Sequence, residues 1–276
     1  MLWQRVLTAI PLAALVIWIL LFQPTYLVNY LLWLVVSIAG LEWARLSGLQ
    51  AVALRVAFAA VIVFISWYVL QQHYALAQWY VLLAVIWWFA MAAYIMKITP
   101  QPVKQTISVQ KMLYGVLVMP AAVIAMSLLH AGAHGPQWLL YGLMLVWLAD
   151  IGAYFSGRRF GKTKLAPALS PGKTREGLYG ALLVTTVYSL IASFYFQLAA
   201  SSTILLLALS MVLTLISVVG DLYESLLKRE AGLKDSGKLL PGHGGMLDRI
   251  DSVLATMPLL MVGMHWLIQP GSGAAL

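Results

Sequence analysis

Long apolar runs, separated by short polar connections, recur along the whole chain. Windows of about 17–22 apolar residues, the length that a helix needs to cross a bilayer, predict nine membrane spans. The predicted spans are residues 6–22, 26–41, 53–70, 77–96, 112–130, 137–155, 177–198, 202–223 and 250–268. The pattern therefore predicts an all-α integral membrane protein, a polytopic bundle of about nine transmembrane helices.

The first apolar run follows Arg5, as the core of a signal peptide would. No convincing small-residue cleavage site follows it, and Pro24 leads directly into the second run. We therefore expect the first span to be retained as a membrane helix.

Composition supports a membrane protein and limits the chemistry that it can perform. Hydrophobic residues make up 62% of the chain and charged residues 9%, whereas soluble proteins carry roughly 25% charged residues. The absence of cysteine excludes disulfides, thiol nucleophiles and cysteine-ligated metals. The net charge of +8 is explained by membrane topology and anionic ligands, so we expect no nucleic-acid partner.

The distribution of basic residues predicts the orientation of the bundle. All 17 Lys and Arg residues lie at the N-terminus, or in or beside the loops that follow the second, fourth, sixth and eighth spans. The opposite connections and the C-terminal tail contain none. By the positive-inside rule, we expect a cytoplasmic N-terminus and a C-terminus outside.

The acidic residues separate the chain into two parts. Eight of the nine Asp and Glu residues, all but Glu42, lie in the second half. We therefore predict an N-terminal part, residues 1–136, with about five spans, and a C-terminal catalytic part, residues 137–276, with about four. Two cytoplasmic loops, 156–177 and 224–249, are expected to carry the active site.

Carboxylates lie near one predicted membrane boundary on three different helices. Helical spacing places them on single faces, in a stripe at the end of the eighth span and another at the start of the ninth. Several carboxylates at one depth suit a hard divalent cation, although they could instead pair with Arg249 or Lys228 to hold the helices together. The residues concerned are Asp150, Asp221, Glu224, Ser225, Lys228, Asp248, Asp251 and Ser252.

The loop 156–177, SGRRFGKTKLAPALSPGKTREG, is rich in basic residues and glycine. A flexible backbone with dense positive charge suits the binding of an oligophosphate. The alternative is an anchor on anionic lipid headgroups. A Walker phosphate-binding loop is excluded, because GRRFGKT has too few residues between its glycines and Pro167 occupies the glycine position that the later GKT would need.

Two stretches resemble the bacterial phosphatidate cytidylyltransferase family, the CDP-diacylglycerol synthases. SLLKREAGLKDSGKLLPGHGGMLDRID, from Ser225 to Asp251, is similar to the family signature, and the run from Asp150 to Gly177 is similar to a second shared block. The resemblance covers a little under half of the chain, and the first half carries no diagnostic residue. The signature positions are filled by Ser225, Lys228, Arg229, Lys234, Asp235, Pro241, His243, Gly244, Gly245, Asp248, Arg249 and Asp251.

The resemblance implies a reaction and its location. CTP and phosphatidic acid would give CDP-diacylglycerol and pyrophosphate, with one or two Mg²⁺ ions, at the cytoplasmic face of a bacterial inner membrane. The lipid phosphate oxygen would attack the α-phosphorus of CTP. An additional monovalent cation and a homodimer are both left open, and CTP is chosen over other nucleotides by the resemblance alone.

The same resemblance suggests roles for individual residues. Asp221 and Asp248 are expected to bind the metal, with Asp150 and Asp251 as second choices. Phosphates are expected on Lys228, Arg229, Lys234 and Arg249, and the triphosphate is covered by Ser170, Lys173 and Thr174. Asp235 would orient Lys234 or His243, and His243 would donate to a phosphate or act in acid–base chemistry, unless it serves only to bond the backbone of its turn. Further substrate contacts are expected from Ser225, Gly244 and Gly245.

Two other classes of membrane protein are alternatives to this family. A CDP-alcohol phosphotransferase would carry a characteristic run of Asp-Gly, Ala-Arg, Gly and Asp, which is absent. An ion-coupled transporter would place carboxylates near the midplane of the membrane and show inverted repeats. The acids here crowd one predicted surface instead, so a lipid nucleotidyltransferase is favoured.

Overall fold

The computed structural model describes residues 14–101, 107–237 and 244–264. Within these residues the chain forms nine helices, which confirms the predicted all-α fold. Helix α1 covers residues 14–22 of the described part. The others are α2 (Thr25–Leu46), α3 (Val52–Leu70), α4 (Tyr74–Ile95), α5 (Val109–Ala131), α6 (Gly135–Phe160), α7 (Arg175–Tyr195), α8 (Ala200–Glu230) and α9 (Leu247–Gly263).

Seven of the helices in the described ranges, α2 to α8, are long and apolar enough to cross a membrane. Large apolar side chains such as Phe64, Trp79 and Phe194 face outward, as expected where lipid replaces water. The first predicted span lies partly outside the described residues, and α9 has only 17 residues within them. The orientation of the bundle remains a prediction.

Helix α8 is longer than a bilayer requires. Its 31 residues span about 46 Å at 1.5 Å per residue, compared with about 30 Å for the hydrocarbon core. The C-terminal turns, from Asp221 to Glu230, contain all of its charged residues. Because the apolar part alone is long enough to cross the membrane, these polar turns can extend into the interface.

One apolar core joins the two predicted parts of the chain. Trp43 and Met119 from the N-terminal helices share a buried cluster with Tyr223 and Leu254 from the C-terminal helices. Helix α9 packs against α4 and α5 as well as α8. The division near residue 136 stays a prediction. Helices from both predicted parts of the chain pack against α9.

Glycines allow α6 and α7 to pack with their backbones close together. A Cβ atom at Gly152 would lie 2.9 Å from the carbonyl oxygen of Gly180, and a Cβ at Gly177 would lie 2.9 Å from that of Ala153. A Cβ at Gly180 would overlap the side chain of Ser156. Small residues commonly allow close approach of membrane helices, so these glycines fix the spacing between α6 and α7.

We expect Gly180→Ala to destabilise the contact between α6 and α7. The added methyl group has no space, and overpacking of this kind typically costs about 1–3 kcal/mol. The thermal unfolding midpoint of the purified protein in detergent should fall. Gly172→Ala is the matched control, because no atom lies within 4 Å of the methyl group that it adds. An equal midpoint for the two variants would contradict this account of the packing.

Hydroxyl groups also hold α6, α7 and α8 together inside the bundle. The Tyr141 hydroxyl lies 2.8 Å from Ser189 Oγ and 2.5 Å from Ser210 Oγ. Thr214 Oγ1 donates to Thr185 Oγ1 at 2.9 Å. In an apolar surrounding, such bonds between helices satisfy groups that would otherwise be unpaired, and they support the three helices that carry the site described next.

The basic loop between α6 and α7 forms a β-hairpin, which the sequence did not predict. Strand β1 (Lys164–Ala166) pairs antiparallel with strand β2 (Ser170–Thr174). Leu169, in the connecting turn, is buried in the main core, and Arg229 Nε donates to its carbonyl oxygen at 3.3 Å. The expected flexible loop is therefore an ordered element docked against the end of α8.

Candidate active site

A cavity of about 370 Å³ lies between the β-hairpin and helices α6, α7 and α8. Most of its wall consists of small or apolar side chains, such as Ala149, Ala153 and Val218. The charged and polar residues that line it are Asp150, Tyr154 and Arg158 from α6, Lys173 and Thr174 from the hairpin, and Ser217 and Asp221 from α8. The cavity thus combines both signs of charge with an apolar wall.

Asp150 and Asp221, which line this cavity, form an acidic cluster with Asp251 of α9. Their carboxyl groups, on α6, α8 and α9, are close enough to repel one another electrostatically. Lys173 of the hairpin provides the compensating charge, with its Nζ 2.5 Å from Asp221 Oδ2. Ser225 Oγ also donates to Asp221 Oδ1, at 3.4 Å. Asp221 is therefore the member of the cluster that contacts both Lys173 of the hairpin and the Ser225 hydroxyl of α8.

Lys228 is the centre of a second charged group, deeper in the protein. Its Nζ lies 2.5 Å from Glu224 Oε2 and 2.7 Å from Asp248 Oδ1. The Glu224 side chain is only 3% exposed and that of Asp248 10%. Asp248 Oδ2 accepts further bonds from Ser236 N, Ser236 Oγ and Gly245 N, at 2.8–2.9 Å. Asp248 is therefore fully engaged in joining α8, α9 and the residues between them.

The hairpin is held to the cavity by Glu176, in the first turn of α7. The carboxylate accepts from the backbone N–H groups of Lys162 and Thr163, at 3.1–3.2 Å. Thr174 Oγ1 accepts from Gly177 N at 3.1 Å and so caps the start of α7. Because both ends of the hairpin are bonded to α7, Lys173 has a defined position above the acidic cluster.

Comparison with known proteins assigns the chain to a family. The model of the Cytidylyltransferase family matches residues 3–267. This chain belongs to that family. A phosphatidate cytidylyltransferase of Pseudomonas aeruginosa is 40% identical over 82% of this chain and 83% of its own length. One of Haemophilus influenzae is 39% identical over 94% and 96%, and one of Staphylococcus aureus is 42% identical over 52% and 59%.

The structure of this cytidylyltransferase-family chain brings some of the predicted substrate residues to the cavity. Lys173 and Thr174 line it, while Ser170 begins β2 and pairs with Ala166. Thr174 is buried and occupied as a helix cap. Lys173 is therefore the residue of the three whose position best suits contact with a phosphate.

The signature residues beyond α8 occupy several different positions. Lys234 and Asp235 are exposed in the turn after α8, and Arg249 is exposed on α9, where it interacts electrostatically with Asp150. Gly244 has a φ of +83°, and a Cβ there would also lie 2.8 Å from Asp248 Oδ2. Both facts favour glycine at this position. His243 lies outside the described residues.

The carboxylates fit a magnesium ion in their chemistry but are not arranged around one. Within the described ranges, no group of three or more His, Cys, Asp or Glu side chains has the geometry of a metal site. Asp150, Asp221 and Asp251 nevertheless offer the oxygen ligands that Mg²⁺ prefers, and Lys173 already places a cation beside them. From α9, Asp251 joins this cluster, whereas Asp248 faces Lys228 and Ser236.

Sequence reasoning missed Glu42 of α2, the acid that it left outside the catalytic part. Its buried carboxylate accepts hydrogen bonds from Ser236, Met246 and Leu247, at the edges of the signature segment. The available signal was a carboxylate within a predicted membrane-boundary segment, where an unpaired charge is unfavourable. No local sequence pattern identifies the groups that bind it, because they lie about 200 residues later in the chain.

Proposed function

We propose that this protein is a phosphatidate cytidylyltransferase, which converts CTP and phosphatidic acid to CDP-diacylglycerol and pyrophosphate. The observation that carries the proposal is the identity of about 40% with phosphatidate cytidylyltransferases over most of both chains. The cavity beside Lys173 and Asp221 supports it, because it joins polar, charged groups to an apolar wall. A lipid phosphate and a nucleotide triphosphate both need such cationic contacts.

In the proposed reaction, an oxygen of the lipid phosphate attacks the α-phosphorus of CTP. A new P–O bond forms, the bond from the α-phosphorus to the bridging oxygen of the β-phosphate breaks, and pyrophosphate leaves with the electron pair. A phosphate monoester is largely ionised near neutral pH, so no strong general base is needed. The protein therefore has to align two anions and offset their repulsion.

Lys173, Arg158 and Arg249 are placed to offset that repulsion. Lys173 and Arg158 line the cavity, and Arg249 interacts electrostatically with Asp150. Arg229 donates to the hairpin through Nε, so its primary role in the described structure is to hold the hairpin. We assign the triphosphate to Lys173, and we retain Lys234, which is exposed in the turn after α8, as a further phosphate ligand.

We further propose that Mg²⁺ is held by Asp221 with Asp150 and Asp251. When bound, it would neutralise phosphate charge and stabilise an in-line displacement. With the ion on Asp221, Lys173 would lose this partner and would be available to pair with a phosphate. Asp248, the other first choice from the sequence, keeps Lys228, Ser236 and Gly245 in place.

We propose that the site faces the cytoplasm from a bacterial inner membrane. The seven described helices that can cross a bilayer support insertion in a membrane. The relatives named above come from bacteria, and the one-sided distribution of Lys and Arg supports the cytoplasmic orientation. CTP would then enter from the cytoplasm and phosphatidic acid from the lipid layer.

A direct assay tests the reaction. Purified protein in mixed micelles, given phosphatidic acid, Mg²⁺ and CTP labelled in its cytosine, should transfer the label to the lipid fraction and release one pyrophosphate for each lipid formed. Label should stay in water when phosphatidic acid is omitted or replaced by diacylglycerol, because diacylglycerol lacks the attacking phosphate. Failure to form any lipid-linked CMP would refute the proposed function.

A further inference from the structure

We propose that Glu42 is a positioning residue of the active site, although it lies in the N-terminal part of the chain. It acts by fixing the start of α9 and Ser236 relative to the end of α8. The inference rests on the proposed function for its catalytic consequence, while the contacts themselves can be tested without any assay of turnover.

Three hydrogen bonds converge on the Glu42 carboxylate. Oε2 accepts from Leu247 N at 2.7 Å and from Ser236 Oγ at 3.0 Å, and Oε1 accepts from Met246 N at 3.1 Å. The first N–H groups of a helix lack intrahelical partners, and negative charge near them is favourable. Helix α9 has no side-chain cap of its own from Met246. Glu42, from α2, supplies the missing acceptors.

Glycines at both edges of the signature segment leave space for this carboxylate. A Cβ atom at Gly245 would lie 2.5 Å from Glu42 Oε2, and a Cβ at Gly237 would overlap the same carboxyl group. Glu42 itself is only 9% exposed. A buried charge bonded on several sides is costly to remove from its partners, so the carboxylate holds these two backbone stretches together.

A continuous series of hydrogen bonds links Glu42 to the charged groups of the site. Ser236 N donates to Asp248 Oδ2, and the single hydrogen of the Ser236 hydroxyl is shared between Asp248 Oδ2 and Glu42 Oε2. Asp248 Oδ1 in turn binds Lys228. Asp251 follows Asp248 by three residues in α9 and lies on the same helical face. The position of the first turn of α9 thus determines where Asp248 meets α8 and where Asp251 meets Asp150 and Asp221.

Glu42→Gln tests the proposal with a side chain of nearly the same size. The amide keeps one acceptor oxygen but places a donor where an N–H group now points. We expect kcat to fall roughly ten- to hundredfold, as for other small misplacements of catalytic groups, with little change in KM for CTP. Glu230→Gln is the matched control: Glu230 also joins two helices, through its 2.8 Å ion pair with Lys111, but makes no contact with Ser236 or α9 among the bonds described. It should retain kcat.

Ser236→Ala provides a second, milder test of the same connection. It removes the hydroxyl between Glu42 and Asp248 while leaving the bonds from Met246 and Leu247 intact. We expect a smaller loss of kcat, and a Glu42→Gln/Ser236→Ala double variant should lose less than the product of the two single effects, because both act through one network. Multiplicative effects, or a normal kcat in Glu42→Gln, would overturn the proposal.

Hydrogen–deuterium exchange separates a failure of this inference from a failure of the proposed function. In wild-type protein without substrate, the amides of Met246 and Leu247 should be protected, and Glu42→Gln should accelerate their exchange. Glu230→Gln should leave them protected. Unchanged exchange in Glu42→Gln would refute the structural role even if the enzyme is active. Faster exchange in Glu42→Gln than in the wild-type protein, together with no transferase activity of the wild-type protein, would sustain the contacts and refute the proposed reaction.

Discussion

Asp221→Asn is expected to reduce turnover about 10³-fold, the effect of losing several kcal/mol of charge stabilisation in the transition state. Asp221 lies at the cavity, pairs with Lys173 at 2.5 Å and faces Asp150 and Asp251. An amide is a much weaker ligand for a hard cation than a carboxylate. The measurement is kcat as a function of Mg²⁺ concentration, and the variant should also need more Mg²⁺ for half-maximal activity.

A double variant distinguishes metal binding by Asp221 from a simple pairing with Lys173. If Asp221 serves only as the counter-ion, Lys173→Met/Asp221→Asn should recover turnover, because both charges of the pair are gone. If Asp221 binds the metal and Lys173 a phosphate, the double variant should be at least as inactive as either single one. Near-normal turnover of Asp221→Asn with an unchanged Mg²⁺ requirement would exclude the proposed metal ligand.

The membrane helices were predictable because their main determinant is local. A run of apolar residues long enough to cross a bilayer specifies a span without reference to the rest of the chain, and α3, predicted as 53–70, is observed as Val52–Leu70. The eighth predicted span ends at residue 223, and α8 continues beyond it to Glu230, as the helical spacing of the polar stripe through Lys228 predicted. Apolar length measures only the part of a helix inside the membrane, while the polar residues that follow continue the same helix.

The β-hairpin could not be predicted in the same way. Its strands have three and five residues, which is too short for a clear alternation of polar and apolar positions. Its position depends on Leu169 in the core, Arg229 on α8 and Glu176 on α7. All three are tertiary contacts. Composition predicted a phosphate-binding loop, but only the fold shows that Lys173 reaches Asp221.

The predicted meeting of carboxylates from three helices is observed, but the member from α9 differs from the first choice. Helical spacing places Asp248 and Asp251 on one face and cannot decide which of them faces α6. Glu42 lies 194 residues before Ser236 in sequence, so no local pattern could connect them. Spacing along the chain therefore predicted which helices bring carboxylates near one another, three-dimensional packing determines which carboxylates do so, and their role in metal binding stays a prediction.

Lys228→Met is expected to destabilise the protein by about 3–5 kcal/mol, the usual effect of breaking a buried ion pair from one side. The side chain of Lys228 lies between Glu224 and Asp248, which are 3% and 10% exposed. Glu224 Oε1 has no hydrogen-bond partner among the described residues, so Lys228 is the main compensation for its charge. Chemical or thermal unfolding in detergent would measure the loss. Lys111→Met is the matched control, and its smaller expected effect follows from its single partner, Glu230, which is 20% exposed.

Adding Glu224→Gln to Lys228→Met separates the two roles that the sequence left open for Lys228. The added substitution removes the buried charge that has lost its partner, so the double variant should regain much of the stability. If Lys228 also holds a phosphate during the reaction, turnover should stay low in the stabilised double variant, with a raised KM for CTP or phosphatidic acid. Recovery of both stability and turnover would mean that Lys228 only joins α8 to α9, and that the cationic contacts of the substrates come from Lys173, Arg158 and Arg249.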